Sequence, residues 1–271
     1  MHLEYWGLSK APFGSKLTLS EFFESSTHVE ALARLQYLVQ QNRRLGVLLG
    51  ACGTGKSLTL EVLARRLRRA GVYVGKLNLL GLDAPEFLWG LASALGCHVH
   101  DDASTITVWR TIQDRLATLR YQRVPTVLLL DDADECETAV LTTLCRLTQM
   151  EQLPESRLSL VLTCNRNGKQ LLGERLLDLS ELPVELEPFG QTETADYVGV
   201  GLARVGRLDK TFTDDAYEAI CQLTRGVPRA INQLAEICLV GGAAEGLKVI
   251  DGSFVEAVRE AFYSEGIGAV A

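Results

Sequence analysis

The segment Gly50-Ala51-Cys52-Gly53-Thr54-Gly55-Lys56-Ser57 follows the pattern G-x-x-x-x-G-K-[ST]. An apolar run, Leu45-Gly46-Val47-Leu48-Leu49, leads into it, and a helical pattern beginning Leu58-Thr59-Leu60-Glu61-Val62 leads out. Strand, glycine-rich loop and helix in that order constrain the fold more than any other stretch of the chain. Glycines let successive backbone N–H groups turn inward around phosphate oxygens, and the positive end of the following helix faces the same charge. In this setting Lys56 reaches the β- and γ-phosphates of a nucleoside triphosphate, and the Ser57 hydroxyl ligates Mg²⁺. Contacts to the nucleotide are expected along the backbone from Gly50 to Leu58.

The chain has 271 residues, enough for one large or two modest domains. Apolar residues make up 47% and charged residues 23%, the balance of a folded globular protein, which excludes disorder. A net charge of −7 excludes nucleic-acid binding by bulk electrostatics and leaves room only for a local basic strip. No apolar run approaches the roughly 18 residues of a membrane span, and the N-terminus lacks a basic region followed by an apolar core. A cytoplasmic location is expected. Cysteines stand at positions 52, 97, 136, 145, 164, 221 and 238 without a C-x-x-C pair. Buried reduced thiols fit this spacing better than disulfides or zinc. The tract His98-Val99-His100-Asp101-Asp102 lies in a loop, where histidines two apart do not converge on one ion, so no metal is expected there.

Short apolar runs alternate with helical patterns, as in a parallel sheet covered on both faces. The strands are expected at Leu45–Leu49, Val72–Leu79, Thr126–Leu130, Leu158–Thr163 and Val184–Leu186. Helices are expected at Lys56–Ala70, Pro85–Leu95, Ser104–Arg120 and Glu135–Met150. Pro183, Pro188 and Gly190 punctuate a junction, and from Thr192 to Tyr263 the period is helical throughout. The domains are therefore placed at 1–190, with a distinct N-terminal segment 1–43, and at 191–265, followed by a tail 266–271.

The run Val127-Leu128-Leu129-Leu130 ends in Asp131-Asp132. The first carboxylate suits Mg²⁺ beside the Ser57 hydroxyl; the second can orient or deprotonate an attacking water, the alternative being that Asp132 or Asp134 caps the next helix. Ligands in open α/β sheets sit at the carboxyl ends of the strands, which nominates Asn165 to sense the γ-phosphate or hold the attacking water, a turn residue before Gly168 being the alternative. Gly226-Val227-Pro228-Arg229 opens a helix, and Arg229 is a cation in a first turn, where it opposes the helix dipole and suits an anionic partner. The cluster Arg65-Arg66-Leu67-Arg68-Arg69 complements the negative end of its helix, or contacts nucleic acid.

Together these elements resemble an AAA+ ATPase. More narrowly, the chain resembles the ExeA/GspA-type ATPases of bacterial secretion loci and their TniB-like transposition relatives. The resemblance rests on Tyr5-Trp6-Gly7-Leu8, Pro12-Phe13, the segment from His28 to Leu35, Leu186-Glu187-Pro188-Phe189 and Pro228-Arg229-Ala230-Ile231-Asn232. It implies an α/β fold, a P-loop NTPase three-layer parallel sheet of order 5-1-4-3-2 with a C-terminal all-helical lid. It also implies ATP and Mg²⁺ as ligands. Lys56, Asp131, Asp132, Asn165 and Arg229 would carry catalysis, with Ser57 and Asp131 on the metal and Pro228 and Arg229 on the nucleotide. Pro12, Phe13 and His28 would border the adenine. The function implied is ATP hydrolysis coupled to conformational change and to assembly with itself or a protein partner. A DNA-binding adaptor and a nucleotide-binding scaffold are the alternatives.

The chain departs from the family in two places. Asp132 stands where the family has Glu, so its carboxylate reaches about 1 to 1.5 Å less far from an unchanged backbone, and slow turnover is expected. Leu182 or Pro183 occupies the place of an arginine that relatives carry before the Leu-Glu-Pro junction, with Arg175 one turn earlier.

Overall fold

The computed structural model describes residues 2–14, 19–100, 102–150 and 155–264. Asp101 and the predicted tail 266–271 lie outside them. The chain divides into two compact units, one of residues 26–52 and 56–186 and one of residues 1–25, 53–55 and 187–271.

The first unit is built on a five-stranded sheet. In chain order it contains α2 (Ser26–Gln40), β1 (Leu45–Gly50), α3 (Lys56–Arg69), β2 (Tyr73–Asn78), α4 (Ala84–Ala94), α5 (Thr105–Tyr121) and β3 (Thr126–Asp131). These are followed by α6 (Thr138–Met150), β4 (Leu158–Asn165), α7 (Glu174–Asp178) and β5 (Leu182–Leu186), with α1 (His2–Trp6) belonging to the other unit. The strand order is β2-β3-β4-β1-β5, every pairing parallel, which is the predicted order read from the other edge. All six residues of β1 are buried, as are the first five of β3 and the first seven of β4. Strands with no exposed alternate face must be covered on both sides, and their leucine- and valine-rich sequences follow from that.

Strand boundaries shift by a residue or two from the predicted ones. The larger difference is at β5, which begins at Leu182 and contains Pro183. Pro183 reads as punctuation in the sequence, yet β5 pairs with β1 alone, and an edge strand tolerates a residue without an N–H. Helix α6 starts at Thr138, three residues later than predicted, because Asp132 takes a left-handed conformation and a separate 3₁₀ turn spans Ala133–Glu135. A further 3₁₀ segment, Arg166–Leu172, follows β4.

The second unit is helical, with α8 (Gln191–Arg204), α9 (Asp214–Thr224), α10 (Pro228–Glu245) and α11 (Gly252–Ser264). One isolated parallel bridge joins Phe212 to Ile250. Its core gathers Phe189, Val198, Leu202, Phe212, Ile220, Ile231, Leu239, Ile250 and Val255. Trp6, Leu8 and Phe13 belong to the same core. The Trp6 indole N–H donates to the Leu239 carbonyl at 2.8 Å, so its one polar atom is satisfied in a ring that is 1% exposed. Phe13 lies against Gly201, where a Cβ would come within 2.7 Å of the ring. The described residues among 2–25 thus pack as part of the helical unit, whereas the sequence places 1–43 with the sheet. Two aromatic side chains seeking a core decide this, and no local pattern says which core they join.

Candidate nucleotide site

The phosphate loop leaves β1 at Gly50 and enters α3 at Lys56. The Lys56 ammonium folds back over the loop, donating to the Gly50 carbonyl at 2.9 Å and the Ala51 carbonyl at 3.2 Å. It is nearly buried, and α3, a 14-residue helix, has no acidic residue in its first turn to offset its positive end. Ser57 is exposed in that turn and Leu58 is half-buried. Gly53 and Gly55 have φ of 86° and 97°, a conformation side chains resist. Cys52 is exposed. These features fit a triphosphate: a cation at the loop, glycines where the backbone must turn, and a helix N-terminus with no acidic residue in its first turn.

Strand register assembles the remaining sheet residues along the same edge. Gly50 pairs with Asn165, and Asn78 pairs with Asp131. The Thr163 hydroxyl, wholly buried on β4, donates to the Asp131 carboxylate and accepts the Asp132 N–H at 2.9 Å. One hydroxyl therefore fixes both acidic positions. Asp132 has φ 54° and ψ 49°, which turns its side chain toward β2, where its carboxylate accepts the Asn78 amide at 3.0 Å.

Asn165 is anchored differently. Its N–H donates to both oxygens of Asp134 at 3.1 Å, and its side-chain oxygen caps the following 3₁₀ segment by accepting the Asn167 N–H at 3.3 Å. A Cβ at Gly168 would overlap the Asp134 carboxylate, so glycine is required for this approach. Cys164 lies beside the same group: burial first, and the Asp134 charge second, push its thiol up to about 12. Burial alone pushes Cys238 equally high. The predicted thiol burial holds for Cys145, Cys164 and Cys238 and not for Cys52.

The helical unit holds Gly53, Thr54, Gly55, Pro228 and Arg229. Pro228 opens α10, and the Arg229 N–H donates to the Gly53 carbonyl at 3.2 Å. A Cβ at Gly53 would lie 2.8 Å from the Arg229 Cβ. The turn before α10 is equally tight. Gly226 has φ 68°, its carbonyl accepts the Phe189 N–H at 2.8 Å, and a Cβ there would overlap the Phe189 carbonyl. Pro12 and Phe13 line a cleft of about 200 Å³ with Phe23, Tyr197 and Arg204. His28 is buried in the sheet unit. Arg175, on α7, donates to Gln149 at 3.3 Å. Among the described residues, no group of three or more His, Cys, Asp or Glu side chains converges as a metal cluster.

Sequence reasoning assigned no role to Asn78 or Gly168, gave Thr163 only a place at the strand end, and weighed Asp134 only as a helix cap. Thr163 carries a signal, a hydroxyl near the end of an otherwise apolar strand. Asn78, 53 positions from Asp131, becomes its neighbour only through the β2–β3 pairing.

Residues 39–172 match the family model described as AAA domain. Over 265 residues the chain is 27% identical to General secretion pathway protein A of Aeromonas hydrophila, a match covering 96% of this chain and 48% of that protein. The chain thus spans about half the length of the curated relative it matches. Among solved structures, the Holliday junction branch migration motor RuvB of Thermotoga maritima superposes with a TM-score of 0.60 at 17% identity, over 93% of this chain and 74% of RuvB. Pyrobaculum aerophilum Cdc6p gives 0.63 at 18% identity, over 90% and 71% of the two chains. Aeropyrum pernix Orc1, solved in complex with DNA, gives 0.64 at 19%, over 95% and 69%. These likenesses establish the fold. The AAA domain match over residues 39–172, the five-stranded phosphate-loop sheet and the similarity to General secretion pathway protein A together support an ExeA/GspA-like AAA ATPase.

Proposed function

We propose that this protein binds ATP with Mg²⁺, hydrolyses it slowly, and uses the nucleotide to drive conformational change and assembly with itself or a protein partner. The observation that carries the reading is the convergence of Gly50, Asp131, Asp132 and Asn165 on one edge of the sheet, with Lys56 held against the Gly50 carbonyl. Lys56 exchanges its two carbonyl partners for phosphate oxygens and neutralises charge on them. Ser57 and Asp131 would hold Mg²⁺, which supplies further charge neutralisation when bound. Asp132 orients the attacking water, Asn165 senses the γ-phosphate, and Pro228 and Arg229 complete the contacts to the nucleotide. Reaction requires no covalent intermediate, only in-line attack on the γ-phosphorus.

Two features support slow turnover. Asp132 is a methylene shorter than the family's usual glutamate, and its carboxylate is engaged by Asn78 at 3.0 Å. A misplacement of about 1 Å can lower the rate on the order of a hundredfold. The relative's name connects it with general secretion, and a secretion-linked partner belongs to the same proposal. Among the described residues no helix is long and apolar enough to cross a membrane, and we place the protein in the cytoplasm.

The test is ATP binding and phosphate release by the full chain, with and without Mg²⁺, compared with Lys56→Ala. Binding with slow, Lys56-dependent release supports the proposal; undiminished hydrolysis by Lys56→Ala overturns it. Sizing the protein with and without ATP tests the assembly step, which predicts a larger species only with nucleotide.

A further inference from the structure

Because every strand of the sheet runs the same way, the residue preceding each strand lies on the edge opposite the phosphate loop. The six residues of β1 separate the two edges by about 20 Å. That far edge is lined with arginine. Arg68 and Arg69 precede β2, Arg120 and Arg123 precede β3, Arg157 precedes β4, and Arg43 and Arg44 precede β1. Carboxylates on the same connections in the sequence are Glu151 and Glu155, before β4, and Glu181, before β5. A chain of net charge −7 has thus placed a basic row across four adjacent strands, about 15 Å from end to end at ordinary strand spacing.

Helix dipoles account for part of this row. Arg68 and Arg69 close α3 and Arg120 closes α5, where cations face the negative end. They do not account for Arg123, which follows α5 in a left-handed conformation, or for Arg157, which lies in a loop. Burial pushes Glu181 up, but the Arg44 backbone N–H at 3.2 Å, and after it the Arg43 and Arg44 guanidiniums at 3.1 and 3.4 Å, hold it below the ordinary carboxylate value. Among the described residues Arg68, Arg69, Arg123 and Arg157 make no ion pair, and Arg157 donates to the carbonyl of Arg123 at 3.4 Å, bringing two cations together. Between Arg120 and Arg123 stands Tyr121, 89% exposed, the most exposed large hydrophobic side chain described.

We propose that this edge binds the sugar-phosphate backbone of single-stranded nucleic acid. Guanidiniums pair bidentately with phosphate oxygens, and an exposed ring set among cations offers a platform on which a base stacks. A lipid surface would use the charge and leave the single tyrosine without a function; a linear row with an interleaved aromatic matches a strand. The inference does not rest on hydrolysis, and its assay contains no nucleotide, so its failure and that of the ATPase reading are separately visible.

The experiment titrates the full chain into a fluorescein-labelled single-stranded oligonucleotide across a salt series. Three or four phosphate contacts give a slope of log affinity against log salt of roughly −2 to −3. Arg123→Glu combined with Arg157→Glu, both at exposed positions, lowers affinity by more than about tenfold and flattens the slope by about one or more. Tyr121→Ala weakens binding by roughly five- to a hundredfold and leaves the slope unchanged, because stacking releases no counterions. Unfolding midpoints matching the parent show that the variants fold, and phosphate release from ATP stays at the parent rate. Equal affinity and slope in parent and double variant overturn the proposal. So does binding to phosphatidylserine vesicles, or to an acidic polypeptide, without binding to the oligonucleotide.

Discussion

The side-chain amide of Asn78 donates to the Asp132 carboxylate at 3.0 Å while its oxygen accepts the Leu80 N–H at 2.8 Å. Both ends of the amide are used, so its orientation is determined and Asp132 is held toward β2. A carboxylate held by such a bond is less free to follow a water molecule. Asn78→Ala is expected to raise single-turnover ATP hydrolysis by about tenfold, since a hydrogen bond to a charged group contributes about 1.5–3 kcal/mol. Quenched-flow measurement of phosphate release checks this. A fall in rate would show that the amide positions Asp132 productively.

Lengthening the acid addresses reach. Asp132→Glu restores about 1 to 1.5 Å, and its rate of ATP hydrolysis should rise at least tenfold. Steady-state phosphate release with the affinity for ATP unchanged is the expected outcome.

The Thr163 hydroxyl serves Asp131 and Asp132 together from a fully buried position. Thr163→Val keeps the shape and leaves the Asp131 carboxylate and the Asp132 N–H each short of a partner. A loss of about 1–3 kcal/mol in stability is expected, with a higher Mg²⁺ requirement for hydrolysis. Urea denaturation and a Mg²⁺ titration measure the two effects, and Thr163→Ser should show neither at full size.

Gly168 is where the Asp134 carboxylate crosses the backbone after β4. Gly168→Ala must displace Asp134 and break its bonds to the Asn165 N–H. Destabilisation of about 1–3 kcal/mol is expected, read as a lower urea midpoint with an unchanged slope.

Asp251 and Asp215 both titrate below the ordinary aspartate value near 3.8. Asp251 accepts the Phe254 N–H at 2.9 Å and the Ser253 hydroxyl at 2.8 Å at the start of α11. Asp215 is lowered first by the Thr213 hydroxyl and then by the Gly252 N–H at 2.8 Å. A depressed native value means stability that is complete above about 3.8 and lost as pH falls through the native value. Thermal unfolding followed from neutral pH downward should show this acid-side decline, and Asp251→Asn should show less of it. An identical decline in the variant would exclude Asp251 from it.

Much of the sheet was legible in the sequence because strands buried on both faces must be apolar throughout, and β1, β3 and β4 are. That the strands run parallel followed from the alternation of strand and helix, and their order was what the family resemblance implied. The phosphate loop was equally plain, since its glycines and lysine are contiguous. Pro183 misled locally, because its compatibility with β5 depends on that strand having one neighbour. Asn78 was invisible for the same kind of reason: its partner Asp132 lies 54 positions away.

The sequence by itself determined the loop that turns around phosphates, the apolar strands, and the two carboxylates that end β3. Those features depend on neighbours within a few residues, where backbone geometry and burial leave few choices. Only the tertiary structure decided that Trp6 and Phe13 join the helical core, that Thr163 and Asn78 fix Asp131 and Asp132, and that arginines from separate connections form one row. Each depends on register and packing between distant segments, which local pattern does not encode.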